Sequence, residues 1–218
     1  MNALIGEFIG TCMLVFLGEA ACCDLLLSKS GLKTDSKTPL LLAWGTAVMV
    51  PAFIFGDLSG SHFNPAITIA SAVCGHFDWA NVPGYVVAQM LGGFLGAVLV
   101  IAVFHEHIKA DEDDITIRSC FCTAPSIPNV PLNFLSEFLG TFVLVFALSS
   151  VPENAVDSGM KWMCVYCVIV ILVASLGGVT GAALNAARDT APRIAFALFC
   201  PGKFLSRFYP RQFLIELV

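Results

Sequence analysis

Charge is what this chain has least of. Only 12% of its 218 residues are Asp, Glu, Lys or Arg, roughly half the share of an ordinary soluble domain. With 57% hydrophobic residues and a mean hydropathy of +0.84, that scarcity excludes a soluble globular domain and indicates an integral membrane protein. No polar stretch is long enough to fold beside the membrane, so residues 1–218 are expected to form a single membrane domain. Basic residues are outnumbered 11 to 16, and the net charge of −5 argues against nucleic acid as a partner. No basic region precedes the first apolar run and no small-x-small site follows it, so the amino terminus does not read as a cleavable signal. Ordered cysteine spacing is missing as well. The nine cysteines are odd in number and several (Cys12, Cys74, Cys164, Cys167) sit inside apolar runs, which argues against a disulfide framework. Cys22–Cys23 and Cys120-x-Cys122 could bridge or bind metal, and His105-x-His107 invites the same idea. No His joins the cysteines at ligand spacing, so apolar fillers, free loop thiols and a polar loop are the plainer reading. There is no nucleophile with a base, no metal cluster and no phosphate loop; neither enzymatic activity nor a cofactor is implied.

What is abundant is apolar runs of bilayer length. A span needs about 20 such residues, and five are predicted, over approximately 3–27, 39–55, 82–104, 132–151 and 160–176. Pro51 is expected to kink the second, and Gly92, Gly93 and Gly96 give the third a small-residue face for close helix contact. Residues 105–131, with the acidic cluster Asp111 to Asp114, are expected to be a solvated connection without chemistry. After Phe199 the final apolar run is about a third of bilayer length, so a sixth span is expected to be missing. The lysine-bearing loop at 28–38 and the basic tail make opposing demands, and loop charge leaves the orientation open.

Two short stretches organise the rest: "LSGSHFNPAIT" (58–68) and "VTGAALNAARD" (179–189). In each, a glycine (Gly60, Gly181) precedes an asparagine (Asn64, Asn185) by four residues, and each Asn opens an apolar segment too short to cross a bilayer. Asn is a good helix N-cap, and Pro65 stands at the first helical position, where its missing N–H costs nothing. The chain also repeats itself. "LIGEFIGTCMLVF" (4–16) matches "FLSEFLGTFVLVF" (134–146), aligning Glu7 with Glu137. Three spans in the first half, 1–104, would insert the second half, 132–218, upside down, so the half-helices are expected to meet amino end to amino end. Their dipoles would then place about half a positive charge each at the pore centre and repel cations and hydronium. The Asn64 and Asn185 side-chain NH₂ groups could bind a passing oxygen there. Glu7 and Glu137, at matching positions, are expected to accept N–H bonds from the backbone leading into the half-helices, which has to be satisfied within the protein.

These motifs, the inverted repeat and the Ala-Arg-Asp run at 187–189 resemble the major intrinsic protein family, in particular its aquaglyceroporin branch, over nearly the whole chain. Asn64-Pro65-Ala66 matches the family's NPA box, while Asn185-Ala186-Ala187 departs from it at the proline. Ala is a strong helix former, so the second cap should survive. The resemblance implies an all-α, polytopic, aquaporin-like fold with two re-entrant half-helices, here carboxy-terminally truncated. It implies a selectivity ring of Trp44, Val173, Ala182 and Arg188, wide and apolar but for one cation, and a loop-anchoring role for Asp189. The function so implied is a multi-pass plasma-membrane channel for glycerol, other small neutral solutes and water, homotetrameric where a complete pore forms. A non-conducting truncated isoform or fragment and a secondary transporter, which also uses broken helices, stand as alternatives.

Overall fold

The computed structural model describes residues 2–150 and 158–205. The helices are α1 (Ala3–Leu26), α2 (Thr38–Ser59), α3 (Pro65–Val73), α4 (Val82–Val103), α5 (His105–Ala110), α6 (Asp114–Phe121), α7 (Val130–Ser150), α8 (Ser158–Thr180), α9 (Ala186–Phe199) and α10 (Pro201–Leu205). Five stretches, lying on α1, α2, α4, α7 and α8, are long and apolar enough to cross a membrane. The expectation of a missing sixth span concerns the chain after Phe199, of which α10 is described and residues 206–218 lie outside the described residues.

Close helix approach is set by glycines. A Cβ on Gly92 would lie 2.3 Å from the Phe8 carbonyl oxygen, and one on Gly96 2.6 Å from that of Cys12, so α4 seats directly on the backbone of α1. Gly93, on another side of α4, faces the Ala187 carbonyl at 2.1 Å and admits the first turn of α9. The small-residue face therefore serves two partners. On α2, Gly45 and Gly56 receive the Tyr166 and Trp162 rings of α8.

The second span runs four residues past its expected end at Phe55, because Gly56 is held in the helix against the Trp162 ring and the chain turns only at Gly60, left-handed at φ 81°. The stretch 105–131 is not the solvated connection expected from its charge. It holds α5 and α6, and the face of Ile117, Cys120, Phe121 and Cys122 is buried, with Phe121 stacked on Phe196 of α9 at 4.9 Å between ring centres. Cys120 and Cys122 are consequently buried thiols, and burial pushes Cys122 up to about 12, so it stays neutral. Asp111, whose burial alone would raise it, is held below its ordinary value by N–H bonds from Ser28 and Asp113.

Candidate functional site

The two motif loops are built alike. Gly60 and Gly181 both have positive φ (81° and 91°), and so do the non-glycine pairs Ser61/Ala182 (53°, 49°) and Phe63/Leu184 (47°, 51°). Left-handed backbone at a non-glycine residue costs about 1–3 kcal/mol and persists only where its surroundings enforce it. Here the enforcement is visible. Glu7, fully buried, accepts the N–H groups of His62 (3.0 Å) and Phe63 (2.7 Å). Glu137 accepts those of Ala183 (3.2 Å) and Leu184 (2.9 Å). Glu7 is itself held by Ser59 Oγ (2.7 Å) and by Gln89 Nε2 (2.8 Å), which also donates to Thr68.

The strained loops turn the Phe63 and Leu184 carbonyls toward the opposite half. Asn64 Oδ1 accepts the Ala66 N–H (2.9 Å), capping α3, while its Nδ2 donates to the Leu184 oxygen (2.8 Å). Asn185 Oδ1 accepts from Ala187 (2.9 Å) and Arg188 (3.3 Å), capping α9, and its Nδ2 donates to the Phe63 oxygen (2.8 Å). The half-helices thus meet at their amino ends through a reciprocal pair of side-chain bonds. An amide NH₂ has two hydrogens. One on each Asn is used across the junction, leaving the other free for a molecule beside it. Pro65 occupies the first position of α3, and Ala186 the first of α9 without weakening its cap.

A cavity of about 1010 Å³ runs past this junction, and Trp44, Asn64, Val173, Ala182, Asn185 and Arg188 all line it. Arg188 lies over Trp44, its Cζ 3.9 Å from the ring centre, an arrangement that holds a guanidinium against an apolar wall. Trp44 is in turn packed by Gly18, where a Cβ would meet the ring at 2.3 Å. His62 also lines the cavity, its Nδ1 3.1 Å from Thr68 Oγ1 and its ring against Phe77 and Tyr85. Asp189, next to Arg188, is 6% exposed and is not among the cavity's lining residues. Its Oδ1 accepts from Thr123 N–H (2.8 Å) and Oγ (2.7 Å), and Arg193, one turn on, bonds both Asp189 oxygens and the Thr123 carbonyl. The connection before α7 is therefore tied to the helix that carries Arg188.

Sequence reasoning missed several of these residues. Gln89 was detectable as the one amide inside the third apolar run, and Arg193 as a cation four residues after Asp189. Nothing in the sequence distinguishes Thr123 from its neighbours.

The glycerol uptake facilitator protein of Bacillus subtilis is 41% identical over 204 residues, covering 93% of this chain and 74% of that protein. That of Streptococcus pneumoniae (strain R6) is 40% identical over 198 residues, covering 91% and 85%. The X-ray structure of the aquaglyceroporin from Plasmodium falciparum superposes with a TM-score of 0.83 at 30% identity, covering 99% of this chain and 88% of that one. The profile of the major intrinsic protein family matches residues 1–205, and the chain belongs to that family as a multi-pass membrane protein with an aquaporin-type fold.

Proposed function

We propose that the chain is a channel for passive permeation of glycerol, other small uncharged solutes and water, with Trp44, Val173, Ala182 and Arg188 as its selectivity ring. The observation that carries the reading is the capped junction of two helix amino ends beside a lumen whose wall pairs Arg188 with the Trp44 ring. Opposed helix amino ends and a fixed guanidinium make a barrier to cations and hydronium. A polyol suits the same wall. Its hydroxyls bond Arg188 and the spare Asn64 and Asn185 hydrogens, while its CH face slides on Trp44 and Val173. Ala182 supports a wide ring because its methyl leaves most of the circumference unfilled. Similarity to the glycerol uptake facilitators of Bacillus subtilis and Streptococcus pneumoniae supports glycerol as the solute. A homotetramer in the plasma membrane completes the proposal, from the family's habit. A coupled transporter would need saturable flux that depends on protons or sodium.

Reconstituted in liposomes, the chain should pass glycerol well above the empty-vesicle rate and independently of pH gradients. Water passage without glycerol passage would reject the proposal. Ala182→Phe should slow five-carbon polyols about tenfold, roughly 1.4 kcal/mol of barrier, while slowing water far less. The variant should fold, since Phe63 tolerates the same left-handed backbone in the other loop.

A further inference from the structure

Glu19 of α1 has no part in the site as described so far. It is fully buried, it does not line the cavity, and neither carboxylate oxygen has a hydrogen-bond partner. Water is lost on burying a carboxyl, and without replacement bonds that loss is severe. Groups of other elements lie within its electrostatic reach: Arg188 and Asp189 of α9, Cys120 of α6 and Cys122 at the end of α6. Asp189 is an acceptor already occupied by Thr123 and Arg193, and a thiol is a weak donor. Arg188 is different. Its Nη1 is buried and likewise without a partner, although the guanidinium is seated on Trp44. Gly18, next to Glu19 on α1, packs against the Trp44 ring over which Arg188 lies. No direct ion pair joins the two residues.

Vacant acceptors on one side and a vacant donor on the other, both out of reach of bulk solvent, are the conditions under which a bound water is retained. We propose that Glu19 is a positioning residue for Arg188, linked to Nη1 through a buried water, so that the guanidinium stays over the Trp44 ring and does not swing into the solute path. The inference rests on Arg188 lining that path, as in the channel reading above. Without Glu19, Nη1 regains hydrogen bonds only by turning toward water in the lumen, which narrows the ring for glycerol more than for water.

The test compares wild type, Glu19→Leu and Glu19→Gln in proteoliposomes, measuring glycerol and water permeability on the same vesicles. Their ratio does not depend on how much protein folds. Glu19→Leu should lower the glycerol-to-water ratio about threefold or more, and Glu19→Gln, which keeps an acceptor oxygen, should return it to within about twofold of wild type. An experimental map that resolves other buried waters should show one within about 2.7–3.2 Å of Arg188 Nη1 and of a Glu19 oxygen. An unchanged ratio in Glu19→Leu, or no solvent density between the two side chains, overturns the proposal; if Glu19→Leu does not fold, Glu19→Gln and the map decide. A wild-type chain that passes no glycerol would instead overturn the channel reading.

Discussion

Gly93→Val is expected to abolish the folded channel. The Cβ alone would lie 2.1 Å from the Ala187 carbonyl oxygen and 3.3 Å from the Ala191 methyl, and the nearer obstacle is backbone that no rotamer change can remove. α9 could give way only by carrying its first turn with it, and that turn is capped by Asn185 and holds Arg188. Separating α4 from α9 would also pull on the Asn185 to Phe63 bond across the junction. Overpacking of this kind typically costs about 1–3 kcal/mol where side chains can yield, and a backbone clash should exceed that range. The detergent-solubilised variant should lose its monodisperse peak and its glycerol flux together. Gly178→Ala is the control. A Cβ there meets nothing within 4 Å, so a helical glycine becoming alanine should leave stability unchanged or raise it by about 0.5–1 kcal/mol.

Glu7→Leu should be nearly as damaging, for an electrostatic reason rather than a steric one. Leucine fits an apolar helix interface but accepts no hydrogen bonds. The N–H groups of His62 and Phe63, the Ser59 hydroxyl and the Gln89 amide would all lose an acceptor at once. Each buried orphan costs about 1–3 kcal/mol, and the two backbone donors belong to a loop already held in a strained conformation. The sum approaches the whole stability of a typical domain, about 5–15 kcal/mol. Glu7→Gln should fall between, since it keeps one acceptor oxygen and points an NH₂ at donors. Glu137→Leu should show the same defect more weakly, since it would strand two donors, the Ala183 and Leu184 N–H groups. Thermal unfolding in detergent, ranked wild type, Glu7→Gln, Glu7→Leu, checks the order.

Much of this was legible in the sequence because the signals are strong and local. Apolar runs of bilayer length accumulate hydropathy, and Asn64-Pro65 marks a helix start by two independent devices, a cap and an N1 proline. The self-match of 4–16 with 134–146 set Glu7 and Glu137 apart from ordinary span-end acids, and both carboxylates do accept N–H bonds from the motif loops. The stretch 105–131 looks solvated in sequence because of its acidic cluster, while α6 is eight residues long and too short to show a helical period. Its buried face is decided by tertiary contacts, Phe121 on Phe196 and Thr123 on Asp189, between residues far apart in the chain. The left-handed backbone at Ser61, Phe63, Ala182 and Leu184 left no mark in residue type, since none is glycine, asparagine or aspartate. Gly93 belongs in sequence to a small-residue face, but that it serves α9 rather than α1 depends on the angle at which α9 arrives.

In the proposed channel, Arg188 and the opposed amino ends of α3 and α9 keep charge out of a lumen that admits neutral solutes. The direct measurement is paired, glycerol flux and proton conductance in the same proteoliposomes, for wild type and Arg188→Val. Wild type should pass glycerol without measurable proton leak. Arg188→Val should keep glycerol flux within about threefold while admitting protons or small cations, because the helix dipoles alone supply only a partial barrier. A variant that still passes glycerol and leaks nothing would contradict the account, leaving Arg188 a structural side chain and the barrier elsewhere.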